Sequence, residues 1–231
     1  EEQAHGLIEV DEESAYGFAR LLKQQASSDL YQAYQSAVLS VPLVALLKPL
    51  DRQMAAVAEK LEKRVKPIRF LGEPVRVHSR PLQPLLMSLT HVVHNILDHG
   101  IEPPEQRFEK GKSTEGEVSI HMRHLSNQDG KNWIEIIIAD DGAGIDPAKV
   151  REKLAETDPN GAWRQQDDRT VIQNLILRDI STRKETTLLS GRGAGLGAVA
   201  QEVARLGGRT ELRSEIGKGT QMVIHLPETL A

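Results

Sequence analysis

The chain has 231 residues, 27% charged and 39% apolar: enough for one large globular domain, or a domain with an appendage, and too apolar for disorder. A net charge of −4 and a pI near 6.1 leave no basic footprint, so nucleic acid is not expected as a main partner. It has no cysteine, which removes disulfides, thiol nucleophiles and cysteine-based zinc sites and fits a cytoplasmic protein. No apolar run approaches the roughly 20 residues that span a bilayer, so this segment is expected to make no membrane contact. The chain opens Glu1-Glu2 without methionine or a signal-peptide pattern, and reads as a piece of a longer protein.

Residues 11–40 read as mostly helix, with Asp11 as cap and Glu12 and Glu13 at the positive end of the dipole. Pro42 and Pro49 allow a break before a second helical run to Lys63, whose apolar side is Leu47, Leu50, Met54, Val57 and Leu61. This helical pair can pack on the following domain or against a second copy of itself; a stripe does not name its partner. From Val65 the period changes: Ile68, Phe70, Val75 and Val77 alternate like short strands, with Pro67 favouring an edge. The expected division is a helical segment, 1–63, and a larger domain, 64–231.

Ser79-Arg80-Pro81 resembles a helix start and leads into Leu82–Glu102. At about 100° per residue, Leu82, Leu85, Leu86, Leu89, Val92, Val93, Ile96 and Leu97 share one arc. The opposite arc carries His91, His94, Asn95, Asp98 and His99. An ordinary solvated face would carry Lys, Glu and Gln; imidazoles, a carboxamide and a carboxylate instead bind metals, move protons and hold ligands. Gly100 can end the helix before Pro103-Pro104.

Glu117–Leu125 and Trp133–Ala139 form a hairpin signal, the second strand running directly into Asp140-Asp141-Gly142-Ala143-Gly144. Asp146-Pro147 opens a short helix, Asp158–Asp168 is polar and reads as mobile, and Arg169–Asp179 is helical again. A Gly/Ser/Thr-rich stretch, Ser181–Gly197, precedes a helix over Ala198–Leu206. Thr210–Arg213 and Met222–Leu226 pair around Gly217-Lys218-Gly219-Thr220. Helices mixed with hairpins predict an α/β fold, a two-layer α/β sandwich preceded by a helical, hairpin-like segment.

Plain turn chemistry explains any single glycine cluster, and two familiar phosphate motifs fail. Gly111-Lys112-Ser113 lacks the upstream glycine of a P-loop, because Gln106 stands there. Gly193-Ala194-Gly195-Leu196-Gly197 lacks the buried strand that a dinucleotide turn requires. The glycines read better as a flap whose N–H groups approach phosphates at a helix start. Asp140, at a strand end ahead of two glycines, can accept a hydrogen bond from an exocyclic amine such as that of adenine. Asn95 can lend its oxygen to Mg²⁺, and His91, one turn earlier, faces the same space.

His91–Arg107 (HVVHNILDHGIEPPEQR), Asp140–Asp146 (DDGAGID), Ser190–Val199 (SGRGAGLGAV) and Gly217–Thr220 (GKGT) resemble the asparagine box and three glycine boxes of histidine-kinase ATP-binding domains, particularly the chemotaxis type. The resemblance covers about residues 38–227, with the motifs in family order. It implies a Bergerat-type ATP site. Asn95 would hold Mg²⁺, Asp140 would bind the adenine amine, Gly142 and Gly144 would shape that pocket, and Thr220 would support adenine through water. Gly191, Arg192, Gly193, Gly195, Leu196 and Gly197 would form the phosphate-side lid. His91 matches the general base, with His99 and Asp98 close to the phosphates or to that base.

Three departures stand out. His94 replaces the usual arginine, Gly197 replaces an acidic residue, and Leu177–Lys184 lacks the family's Gly and Phe. No phosphoacceptor is evident, so the resemblance implies an accepting histidine on another domain or protein, a downstream response regulator, and a homodimer through the N-terminal helices. The alternative is a nucleotide-binding adaptor that signals by conformation; a serine kinase or hydrolase on the same site is a third reading.

Overall fold

The computed structural model describes residues 11–25, 27–34, 38–126, 132–182 and 195–228. Two helices, α1 (Glu12–Gln25) and α2 (Ser28–Tyr34), come first. Asp11 caps α1 by accepting the Ser14 amide at 2.8 Å and the Ser14 hydroxyl at 2.6 Å. Ala15, Ala19 and Leu39 form a small cluster with Tyr16, Tyr31 and Tyr34, while Phe18, Leu21, Leu30 and Val38 stay exposed.

Where a helical lead-in was expected, Ser40–Pro42 is a strand, β1, antiparallel to β3 (Arg76–His78). Then come α3 (Leu43–Leu47) and α4 (Pro49–Lys60), with Pro49 in the first turn, where a missing N–H costs nothing. Leu43, Leu47, Leu50, Met54 and Ala58 are buried in the main core. Of the two arrangements open to these apolar stripes, α3 and α4 therefore take the intramolecular one.

The main sheet has the order β2 (Arg69–Gly72), β4 (Val118–Ser126), β5 (Asn132–Asp140), β7 (Gly219–Pro227), β6 (Arg209–Glu215). Its pairs are antiparallel, except that edge strand β2 runs parallel to β4. Alternation sends Val118, Ile120, Met122, Ile134, Ile136, Ile138, Met222, Ile224 and Leu226 into one core. That core is shared with α5 (Ser79–Asn95), α8 (Asp168–Thr182) and α9 (Gly195–Arg205), through Leu82, Leu85, Leu89, Val92, Ile172, Ile176, Val199 and Val203. The result is a mixed α/β sandwich with an N-terminal helical segment.

On the other strand parity, Arg123, Glu135, His225 and Arg209 stand in register across four strands. Glu135 takes Arg123 Nε at 2.6 Å and lies 3.0 Å from His225 Nε2. Burial pushes its pKa up, but these two partners outweigh it and hold the carboxyl below its ordinary value.

A satellite cluster joins α7 (Pro147–Thr157), a 3₁₀ turn (Ala162–Gln165) and the start of α8 through Val150, Leu154, Trp163 and Val171. The polar stretch expected to be mobile is thus anchored from inside. Trp163 is 8% exposed, and its indole N–H donates to the Asp158 carbonyl at 2.8 Å.

Candidate functional site

Helix α5 keeps its α-geometry only to Asn95. Ile96–Gly100 then widens into a π turn, closed by the Ile101 amide donating to the Ile96 carbonyl at 2.7 Å. The helical turns end at Gly100, where the sequence offers a stop, but their last turn is wider than the α-geometry expected, for a reason that lies elsewhere in the chain. Lys63, just past α4, donates its ammonium to the Leu97 carbonyl and, at 2.9 Å, to the Asp98 carbonyl. The Gly100 carbonyl accepts the Ala143 amide at 2.8 Å. Carbonyls left over at the end of a helix need such donors.

The α-helical spacing of four keeps His91 and Asn95 on one face, with His91 exposed and Asn95 half-buried. His94 is also exposed. Asp98 and His99 sit on the widened turn, both exposed, with Asp98 Oδ2 3.3 Å from His99 Nε2. Burial lowers the Lys63 pKa, against the opposing pull of Asp98 and Glu102.

At the end of β5, Asp140 Oδ1 accepts the Gly142 amide at 2.9 Å. Burial pushes this carboxyl up to about 6; the Gly142 and Thr220 amides oppose the rise, Asp141 adds to it, and Lys112 opposes it. Three backbone approaches enclose the turn. A Cβ on Gly142 would stand 2.2 Å from the Gly100 carbonyl oxygen, and one on Gly219 (φ +109°) 2.0 Å from that of Asp140. Gly144 (φ +72°) would press a Cβ to 2.2 Å from the Glu215 carbonyl oxygen. Ser214 accepts the Ile145 amide at 2.8 Å, donates to the Gly219 carbonyl at 2.9 Å and lies 2.9 Å from the Thr220 hydroxyl. Asp140, Gly142, Gly144 and Thr220 thus come together against the end of the π turn.

Behind this turn lies a charge cluster that sequence reasoning missed. Arg107 is fully buried and bridges Glu102 at 3.1 Å and Asp141 at 2.6 Å, while its Nε donates to the Ser113 carbonyl at 2.6 Å. Lys112 donates to the carbonyls of Asp141 at 2.8 Å and Gly142 at 2.7 Å, and to Glu102 at 3.2 Å. Burial raises the Glu102 pKa, but its own amide together with Lys112 and Lys110 brings it below the ordinary value. The available signal was a pair of opposite charges, Glu102 just before Pro103-Pro104 and Arg107 within α6 (Pro104–Glu109).

Of the expected lid, Gly195, Leu196 and Gly197 form the first turn of α9, with Leu196 packed half-buried on the core. Gly191, Arg192 and Gly193 lie outside the described residues.

Among the described residues no group of three or more His, Asp or Glu could hold a metal unaided. Asn95 offers one oxygen, which suits Mg²⁺: that ion uses one or two protein oxygens and completes its shell with phosphates and water. The glycine approaches pack backbone tightly around the turn that presents Asp140, a carboxylate that can accept a hydrogen bond from an amine. Among the described residues no helix is long and apolar enough to cross a membrane.

Residues 86–230 match the family model of histidine kinase-, DNA gyrase B- and HSP90-like ATPases. The chemotaxis protein CheA of Rhizobium meliloti is 34% identical over 84% of this chain and 25% of its own length. That of Klebsiella aerogenes is 34% identical over 85% of this chain and 30% of its own length. The chain thus spans under a third of these relatives. A solved histidine kinase domain from the Erythrobacter litoralis EL346 blue-light activated histidine kinase is 18% identical, over 96% of this chain and 79% of that one, with a TM-score of 0.44. With its sandwich fold and with residues 86–230 matched, the chain belongs to the histidine kinase-, DNA gyrase B- and HSP90-like ATPase family.

Proposed function

We propose that this chain is the ATP-binding catalytic core of a protein-histidine kinase, moving the γ-phosphoryl group of Mg-ATP to a histidine on another domain or protein. The observation that carries the reading is the approach of Gly100 to Asp140: a Cβ on Gly100 would lie 3.5 Å from Asp140 Oδ1. It ties the end of the asparagine-bearing helix to the carboxylate turn, so one ligand can reach both.

In this reading Asp140 accepts the adenine amine, Gly142 and Gly144 admit the ring, and Thr220 supports it through water. Asn95 holds Mg²⁺, which when bound neutralises phosphate charge. Gly191, Arg192, Gly193, Gly195, Leu196 and Gly197 close over the phosphates from the start of α9. His91 takes the proton from the attacking imidazole, with Asp98 and His99 beside it. A response regulator then receives the phosphoryl group. Residues 1–63 carry the signalling segment, with its α3 and α4 packed into the core of the catalytic unit, 64–231. The apolar residues left exposed on α1 and α2, Phe18, Leu21 and Leu30, support a homodimer through that segment.

The test is titration of Mg-ATP into wild type and Asn95→Ala, followed by transfer of labelled γ-phosphate to an added acceptor domain. Mg²⁺-dependent binding lost in Asn95→Ala, with an acid-labile phosphorylated product, is expected. Binding that needs neither Mg²⁺ nor Asn95 would end the site assignment. The substitution of His94 for the family's arginine favours a second reading, a nucleotide-binding adaptor. Normal ATP binding with no transfer, unaltered by His91→Gln, is its signature.

A further inference from the structure

Lys112 belongs to a segment with no expected role in ligand binding. Its side chain is only 18% exposed, and its ammonium bonds the site's supports: the Asp141 carbonyl at 2.8 Å, the Gly142 carbonyl at 2.7 Å and Glu102 Oε1 at 3.2 Å. Both carbonyls belong to the turn whose Gly142 amide holds Asp140. Arg107 grips the same turn through the Asp141 side chain, so its charge is matched by Glu102 and Asp141. Lys112 meets only the backbone of that turn, at the carbonyls of Asp141 and Gly142, and its charge reaches Asp140 across one peptide unit.

We propose that Lys112 is a positioning residue for nucleotide binding: it pins the turn whose Gly142 amide holds Asp140 and sets a positive charge behind that carboxylate. The proposal rests on the reading of Asp140 as the adenine contact.

Among the described residues, the other charged groups near Asp140 have partners of their own. Asp141, next in the chain, repels it but is itself bound to Arg107 and to the Glu117 amide. From the π turn the neighbour is Gly100, and from β7 it is Thr220, neither of them charged. Asp98 and His99 are exposed and paired with each other. Among the described residues Lys112 attracts Asp140 and works against the rise that burial imposes, after the Gly142 and Thr220 amides.

Two readouts on the full chain test this. Carboxyl ¹³C NMR of the nucleotide-free protein gives the titration midpoint of Asp140, identified by the signal lost in Asp140→Asn. Affinity for trinitrophenyl-ATP across about pH 5 to 9 gives the consequence for binding. In Lys112→Met the Asp140 midpoint should rise by about half a unit or more, and the pH at which affinity falls should rise with it. At about pH 5 the dissociation constant should grow roughly threefold, and at about pH 7, where the carboxyl stays mostly ionised in both proteins, far less. Lys112→Arg, which keeps the charge, should leave the midpoint near the wild-type value even if the geometry costs some affinity. A purely structural lysine would weaken binding equally at every pH and leave the midpoint where it is, and that result would overturn the proposal. Should Lys112→Met fold poorly, Lys112→Gln carries the same expectation. Unchanged affinity in Asp140→Asn would instead overturn the adenine reading, while the NMR midpoint still decides the role of Lys112.

Discussion

Gly142 lies against the carbonyl of Gly100 so closely that a Cβ would stand 2.2 Å from the oxygen, and the neighbouring Ala143 amide donates to that same oxygen at 2.8 Å. The contact is backbone on backbone, so no side chain can move aside to relieve it. Gly142→Ala should cost at least about 2 kcal/mol of stability and abolish nucleotide binding. Urea denaturation and a nucleotide titration measure the two effects. Gly217→Ala is the control for position rather than residue type: its Cβ would meet nothing within 4 Å, but its φ of +79° still imposes strain, about 1 kcal/mol.

Asp140 sets function against stability. Its folded pKa, about 6, lies above the ordinary 3.8, because burial disfavours the charge. Below the lower value the group is protonated in both states and costs nothing. Between the two the folded state binds more protons, so stability falls as pH rises, and the cost is complete above about 6, at up to about 3 kcal/mol. Asp140→Asn should therefore melt higher than wild type at neutral pH, lose that advantage below about pH 4, and bind nucleotide poorly. A lower melting temperature at neutral pH would contradict the burial argument.

Arg107 is fully buried between Glu102 and the partly exposed Asp141, and removing it takes the guanidinium from both and leaves the Ser113 carbonyl without that donor. Arg107→Met should destabilise the fold by about 3–5 kcal/mol, read as a lower denaturation midpoint. Arg107→Lys should recover only part of this, since a single ammonium cannot bridge Glu102, Asp141 and the Ser113 carbonyl from one planar fork.

Lys63 ties the end of α4 to the π turn. Lys63→Met leaves the Leu97 and Asp98 carbonyls without that donor, a loss of about 1 kcal/mol. The effect should be local: faster hydrogen exchange at the Ile101 amide, which closes the π turn, with little change at the amides of β5. Uniform loss of protection across the sheet would show that the lysine supports the core rather than the turn.

How much of this was legible beforehand depended on reach along the chain. The apolar arc of α5, the alternation of Ile134, Ile136 and Ile138, and the two glycines after Asp140 were readable, because period and turn chemistry are local. The burial of Trp163 was hidden by its polar neighbours, and the β1–β3 pair by a strand of only Ser40–Pro42. The Glu102–Arg107 signal was present but had no visible third partner until the fold brought up Asp141.

The stretch Ile96–Gly100 marks the division. By itself the sequence determined a helix with an apolar face, a face bearing His91 and Asn95, and a glycine to end it, since those follow from side chains within a few turns. Only the tertiary structure decided that this helix widens after Asn95 and that cations stand behind Asp140. The donors responsible come from afar: Lys63 acts across 35 residues on Asp98, and Lys112 across 29 on Asp141. Hydrogen-bond satisfaction of a helix end, and the field on a buried carboxyl, are set by whatever the fold places nearby, and no local pattern encodes that.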